Sequence, residues 1–345
     1  MPDLCWDGNA MIELLSSKGK AKLVCMESDT LRVKLCNFGA AIFSVEIRNP
    51  DGSWEDIALT RDTVDEFIEN RNFYGATVGR VVNRIKDGHA NINGKVYQLS
   101  KNEGNNSAHG AEACFAWRFW DTDVQEDRVT FHLLSRDGEA GYPGNLRVEA
   151  EYRFDTDGSL LLTHRGISDQ DTLLNMTNHT YWCLGGLDKN IYDQTLMING
   201  CSYLEVDSQL IPTGRILPVE NTPFDFIEPH TIGERIFDEL PAMQQSRGYD
   251  VSFVRNGEGM GLAARLTAGN RVLEVETTLP DIHIYTGNFL NGDPGKGGRR
   301  YQPHDAICLE GELFPDAINH PNFGRIILEA GKQYEERIRF RIFNR

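Results

Sequence analysis

Along much of this chain, apolar and polar residues alternate one for one. LRVKLC at 31–36 puts Leu31, Val33 and Leu35 on one side and Arg32 and Lys34 on the other. LRVEAEYRF at 146–154 sets Leu146, Val148, Ala150, Tyr152 and Phe154 against four charged residues, and RIRFRIF at 337–343 sets Ile338, Phe340 and Ile342 against arginines. A period of two predicts strands with one buried and one wet face, as antiparallel sheets have. Turn signals punctuate the strands. DTDGS at 155–159 predicts a hairpin with Gly158 at positive φ; NPDGS at 49–53 and SRDGE at 135–139 predict the same, and INGK at 92–95 a tight turn. Helical patterns are few: DTVDEFIEN at 62–70, and TIGERIFDEL at 231–240 with a Thr cap and an Ile-Ile-Phe stripe. NGDPGKGGRRYQP at 291–303, rich in Gly and charge, predicts a flexible surface loop. Its GKGG lacks the strand–loop–helix context and Lys-Ser/Thr ending of a phosphate-binding loop. No short repeat, low-complexity run or linker interrupts the pattern. The expectation is all-β: one domain over 1–345, a large antiparallel β-sandwich of two enlarged sheets with few short helices and a concave face able to hold a ligand.

Composition narrows the function classes. With 35 Lys+Arg against 51 Asp+Glu, the formal net charge is -16. A duplex or an anionic bilayer would repel such a protein, so nucleic acid and membrane are not expected partners. The seven cysteines (Cys5, Cys25, Cys36, Cys114, Cys183, Cys201, Cys308) are odd in number and scattered, without CxxC. That pattern predicts reduced thiols in a cytoplasmic protein. MPDLCWDGNAMIELLSSKGK lacks a basic n-region before an apolar core, so no signal peptide is expected, and no apolar run approaches a membrane span.

Five stretches place polar groups where a strand core would not want them. YGATVGRVVNRI at 74–85 ends an apolar run on Asn83 and Arg84, and a half-buried Arg needs an anion or several acceptors, which a polyol supplies. NEGNNSAHGA at 102–111 holds His109 in a loop of amides and glycines. NMTNHTYW at 175–182 places His179 among strand-forming and aromatic residues, flanked by Asn175 and Asn178. RGYDVSF at 247–253 opens a strand on Asp250. ICLEGELFPDAINHP at 307–321 delivers Glu310 from an apolar strand, where a carboxylate is expensive unless paired or used, and continues through Glu312, Asp316, Asn319 and His320. Each alone reads as readily as a satisfied core histidine, a solvated loop residue or a rim acid. Together they form the inventory of an acid–base site. A metal site is the competing reading, but HxH, HxxxH and HExxH are absent; nucleophilic catalysis would want GxSxG or a Cys-His signature, and neither occurs.

With these residues in view, the chain resembles the aldose 1-epimerase (galactose mutarotase) family almost end to end. The matching stretches include GATVGRVVNRI at 75–85, NEGNNSAHG at 102–110, GYPGNL at 141–146, NMTNHTYW at 175–182, IPTGRILPVENTPFDF at 211–226, GYD at 248–250, YTGNFL at 285–290 and LEGELFPDAINHPNF at 309–323. The resemblance implies a large galactose mutarotase-like β-sandwich with a sugar cleft. It implies an isomerase that interconverts the α- and β-anomers of a free hexose such as galactose or glucose by opening and reclosing the ring. It also implies roles: Glu310 as base, His179 as acid, His109 on the ring oxygen or a neighbouring hydroxyl, and Asn83, Arg84 and Asp250 on the sugar hydroxyls. No metal, nucleotide or redox cofactor is expected. The chain departs from the family pattern in PDIHIYT at 280–286, where His283 replaces a Gln and Asp281 a Gly. Cys183 stands for an Asn, Val251 for a His, and Glu312 for a common Gln. His283 and Glu312 thus fall among the groups that would read hydroxyls. The mechanism calls for an ionised Glu310 and a protonated His179, and burial beside a carboxylate is expected to keep that imidazolium charged. Alternatives within the same fold are an epimerase for a pentose, deoxyhexose or sugar phosphate, and a non-catalytic sugar-binding protein. A monomer or a homodimer is expected.

Overall fold

A computed structural model describes residues 11–69 and 72–345. Three sheets dominate, all antiparallel. The first is a five-stranded meander, Met11–Lys18, Ala21–Glu27, Leu31–Cys36, Ala41–Arg48 and Trp54–Asp56, paired in chain order. The second has nine strands, and its order places the C-terminal strand Gln333–Asn344 in the middle, between Leu160–Ser168 and Arg271–Thr277. The third, called the site sheet below, runs Pro212–Pro218, Ser202–Val206, Asp250–Val254, Asp281–Tyr285 and Cys308–Glu312. The alternation read from the sequence is the alternation of burial. In Leu146–Phe154 every second residue, from Leu146 to Phe154, is buried, and Ile338, Phe340 and Ile342 are buried on the last strand. Inner-face residues of all three sheets join one continuous core, from Val24 and Val33 through Phe131 and Tyr152 to Phe253, Ile284, Leu309 and Phe340. The expected two-sheet sandwich is therefore built with one long sheet and two short ones.

The predicted turns at 49–53, 92–95 and 155–159 link neighbouring antiparallel strands, with Gly52, Gly94 and Gly158 at positive φ. SRDGE instead opens a longer connection between Arg128–Ser135 and Leu146–Phe154. The helix expected within 62–70 is Val64–Glu69, and Asn70 lies outside the described residues. The helix expected over 231–240 does not form. His230–Thr231 pairs as a strand with Thr195 and Leu196, the Ile232 and Gly233 amides donate to Gln194 and Tyr192 carbonyls, and only Ile232–Glu234 makes a 3-10 turn, without a Thr231 side-chain cap. Pairing of His230–Thr231 in the sheet overrides the local helical pattern. The helix starts later, at Pro241–Ser246, with Pro in its first turn, where a missing N–H costs nothing.

The expected flexible loop at 291–303 is also corrected. It folds into a small hairpin of Asp293–Pro294 and Arg300–Tyr301. Lys296 Nζ is drawn in to Asp56 and donates to the Phe43 and Ala58 carbonyls, both at 3.1 Å. Tyr301, 1% exposed, donates to the Thr60 carbonyl. Residues 1–10, which include Cys5 and half of the segment read for a leader, lie outside the described residues. No helix among the described residues is long and apolar enough to cross a membrane.

Candidate active site

Three neighbouring strands of the site sheet build the floor of the site. Their registers align Asp250 with Tyr285, Ser252 with His283 and Val254 with Asp281; then Tyr285 with Cys308, His283 with Glu310 and Asp281 with Glu312. Because side chains alternate across a strand, Val251, Phe253, Ile282, Ile284 and Leu309 turn into the core. Asp250, Ser252, Asp281, His283, Tyr285, Cys308, Glu310 and Glu312 share the opposite face. Glu310 is thus in mid-strand, and Cys308–Glu312 continues two residues beyond the end expected from the apolar run.

His179 arrives from another segment, and the two amides flanking it explain how. Asn175 Nδ2 donates to the Leu313 carbonyl and the Leu313 amide returns a bond to Asn175 Oδ1, both at 2.9 Å. At the other end, Trp182 and Ile307 exchange backbone hydrogen bonds at 2.8 and 3.0 Å. Between these clamps the antiparallel alignment sets His179 opposite Glu310. Asn178 fixes the local bend by donating to the Gly75 carbonyl at 2.7 Å. The result is His179 Nε2 at 3.5 Å from Glu310 Oε1, with the two residues 4% and 2% exposed.

His109 follows from a tight exchange with the 74–85 segment. The His109 amide donates to the Asn83 carbonyl, and the Asn83 amide donates to His109 Nδ1 at 3.3 Å. The neutral ring must then carry its proton on Nε2, which makes that nitrogen a donor. Asn83 and His109 both take positive φ, 63° and 52°, in making this crossing. Phe73 packs against both imidazoles, stacked on His179 at a centroid distance of 5.5 Å and tilted against His109 at 4.8 Å, and is itself backed by Trp117.

A cavity of about 260 Å³ opens over this floor. Seven residues singled out from the sequence line it, Asn83, Arg84, His109, His179, Asp250, His283 and Glu310, whereas Glu312, placed with His283 among the hydroxyl-reading groups, is fully buried beneath and does not line it. Arg84 donates to Glu103 at 2.7 Å and lies 3.6 Å from Asp250. Asp250 also faces His283 Nε2 at 3.0 Å, and His283 Nδ1 faces Ser252 Oγ at 3.0 Å. Burial works against the Asp250 carboxylate, but Arg84 and then His283 outweigh it and hold its pKa well below the usual range. Sequence reasoning missed Phe73, Glu103 and Tyr285, which also line the cavity, and Cys308, whose Sγ sits 3.4 Å from His179 Nδ1. The CxE spacing of Cys308 and Glu310 on one strand face was the available signal for the last. Asp316, Asn319 and His320 are not brought here. Asp316 binds the Lys86 amide, Asn319 caps Asp316, and His320 faces the Pro212 carbonyl.

The charge states differ from the sequence expectation of an imidazolium facing a carboxylate. Burial dominates both groups. It pushes the His179 imidazole down to about 3. Burial, reinforced by Asp250 and Asp281, pushes the Glu310 carboxyl well above its ordinary range. Burial thus favours the neutral form of each partner, with the shared proton on the Glu310 side. Burial likewise keeps His109 neutral, aided by His179 and Arg84. His179, Cys308 and Glu310 bring one donor atom each within 4.8 Å of one another, the one such group among the described residues. A thiol that burial and Glu310 hold well above its normal pKa makes this a poor ligand set, and the groups are better matched to proton transfer.

Comparisons with known proteins agree with this chemistry. A family model described as aldose 1-epimerase matches residues 22–341. A galactose mutarotase from Homo sapiens is 37% identical over 328 residues, 94% of each chain. An aldose 1-epimerase from Escherichia coli is 32% identical, covering 96% of this chain and 95% of its own. A solved structure of galactose 1-epimerase from Lactobacillus acidophilus superposes with a TM-score of 0.85 at 28% identity, covering 97% of this chain and 98% of that one.

Proposed function

Since the chain belongs to the aldose 1-epimerase family, we propose that it interconverts the anomers of a free hexose such as galactose or glucose, with Glu310 as base and His179 as acid. Mutarotase activity on aldose sugars comes with the family. What is proposed is the sugar and the residues that act on it. The observation that carries the assignment is the 3.5 Å His179–Glu310 contact, buried at the base of a cavity rimmed by hydroxyl-reading groups.

Ring opening requires a proton to leave O1 and another to reach O5 while the C1–O5 bond breaks and its electron pair goes to O5. The O1–H electrons become the second C1–O1 bond. Glu310 Oε2 has no hydrogen-bond partner among the described residues, so a sugar hydroxyl is the donor it lacks. Donation from that hydroxyl stabilises the carboxylate and favours transfer of the shared proton to His179 Nε2. The pair is then charged in the sense the reaction needs: Glu310 takes the O1 proton, and His179 protonates O5. Rotation about C1–C2 turns the other carbonyl face, and the reverse steps close the ring and restore the proton. His109 Nε2–H donates to the ring oxygen or its neighbour, and Asn83, Arg84, Asp250 and His283 fix the remaining hydroxyls. Each positioned acid or base contributes about 10²–10⁴-fold.

Arg84 is the one Lys or Arg among the described residues lining the cavity, and Glu103 and Asp250 already hold it. This favours a neutral sugar over a sugar phosphate. We further propose that the protein works in the cytoplasm, where its six unbonded cysteines among the described residues would stay reduced, as a monomer or homodimer. Interconversion rates over a panel of freshly dissolved α-aldoses, read by polarimetry or NMR, test the assignment. The expected result is fast turnover of galactose or glucose and none of hexose 6-phosphate; preference for the phosphate contradicts it.

A further inference from the structure

The site sheet carries two more acids than the reaction uses. Asp281 and Glu312 are direct cross-strand partners, and both are 0% exposed. Two ionised carboxylates facing each other repel, and burial makes each charge costly unless it is paired. Here the pairing is thin. Glu312 Oε1 accepts from Asn83 Nδ2 at 3.1 Å and lies 3.8 Å from His283 Nδ1. Glu312 Oε2 and both Asp281 oxygens have no hydrogen-bond partner among the described residues. Ser252 and the Phe253 and Ile282 amides lie near Asp281, yet none meets it with sound geometry. A single proton held between the two carboxyls relieves the repulsion and gives an orphan oxygen a donor, the arrangement by which paired carboxyls elsewhere avoid double ionisation.

The pair is placed to act on the site. Glu312 is the next residue after Glu310 on the same strand face, and Asp281 lies diagonally across the register from Glu310. Glu310 faces His179 at 3.5 Å, Cys308 and Glu312 on its own strand, His283 and Asp281 on the adjacent strand, Asp250 on the third, and Tyr181 from the 175–182 segment. Among the described residues, no Lys or Arg lies within ion-pair range of Glu310, Glu312 or Asp281, whereas Asp250 is balanced by Arg84. A charge on the Asp281–Glu312 pair is therefore felt at Glu310 with little screening.

We propose that Asp281 and Glu312 share one proton beneath the sugar cavity, and that the single negative charge remaining on them is a positioning device that keeps Glu310 strongly basic. The second half rests on the reading of Glu310 as the base. Burial disfavours double ionisation of the pair, and for Glu312 the nearby Asp281 and Glu310 carboxyls add to it, so at least one proton is held there. The sign at Glu310 follows: a nearby anion disfavours its carboxylate, so removing that anion makes it a weaker base. Both limbs of the pH profile, which belong to the His179–Glu310 unit as a whole, then move to lower pH.

The test combines two readouts. In the Asp281→Asn/Glu312→Gln double variant, the acid limb of kcat/KM for α-galactose is expected to move down by about one pH unit. A purely structural role would lower the rate or the melting temperature without moving the limb; an unmoved limb in a folded variant overturns the positioning role. The second readout does not depend on that variant folding. In Glu310→Gln, infrared spectroscopy at neutral pH is expected to retain the C=O stretch of a protonated, buried carboxylic acid, and its absence overturns the shared proton. Failure of the Glu310 reading would appear separately, as Glu310→Gln protein that still turns over sugar.

Discussion

The nine-stranded sheet and the site sheet obey the same period-two rule but use their polar faces in opposite ways. On the nine-stranded sheet, Arg339 pairs with Glu276, Arg165 with Glu335 at 2.9 Å and Glu151 at 3.2 Å, and Arg341 with Glu274 at 3.2 Å, at sites water can reach. On the site sheet the face of the same phase is buried. It carries four carboxylic acids and an imidazole, and among the described residues Arg84, beside Asp250, is the one guanidinium that offsets them. Alternation alone does not distinguish a structural sheet from a chemical one. What distinguishes them is whether the polar face has partners and solvent. Where it has neither, ionisable groups depart from their ordinary states, and proton transfer becomes available.

The sharpest way to break the comparison is at its centre. Glu310→Gln is expected to retain galactose binding, measured by calorimetry, while turnover falls by about 10⁴-fold. His179→Asn removes the partner and is expected to cost about 10²–10³-fold in kcat. Further out on the same face, Asp250→Asn weakens the hold on the hydroxyls and on Arg84, and is expected to raise KM about tenfold with a smaller change in kcat. The buried face also leaves a signature in stability. Asp281 has a raised folded-state pKa, so its ionisation costs stability progressively as pH climbs above the unfolded-state value. Asp281→Asn is therefore expected to raise the melting temperature more at pH 8 than at pH 5; a pH-independent difference would mean that Asp281 titrates normally. On the wet face the effects are smallest. Arg339→Gln removes a half-buried ion pair that water still reaches, and is expected to change stability by about 1 kcal/mol and leave kcat/KM untouched.

Much of this architecture is legible in the alternation of single strands, and the cavity residues are legible as polar interruptions of that alternation. The register that makes them a site is not. Neither strand alone tells His179 to face Glu310; two clamps, three or four residues to either side, do, the Asn175–Leu313 exchange and the Trp182–Ile307 bridge. Asn175 is readable as an oddity but not as a clamp, because its partner lies 138 residues away. The segment at 231–240 misleads for a related reason. Its helical spacing is real, but His230–Thr231 pairs into the nine-stranded sheet and overrides it. The hairpin at 291–303 looks solvated until Lys296 finds Asp56 and the Phe43 carbonyl in the first sheet and the Ala58 carbonyl just past it. Charge states are the least legible of all. An imidazolium beside a carboxylate is the natural expectation for an acid–base pair read from the sequence, and burial of both partners reverses it.

The central claim is that His179 and Glu310 act as one proton-transferring unit. The most direct measurement is a double-mutant cycle on the anomerisation of freshly dissolved α-galactose, followed by polarimetry in Glu310→Gln, His179→Asn and the combined variant. Residues that act as a unit are strongly non-additive, so the double variant is predicted to be no slower than Glu310→Gln alone. Losses that multiply would show two independent contributions and contradict the account.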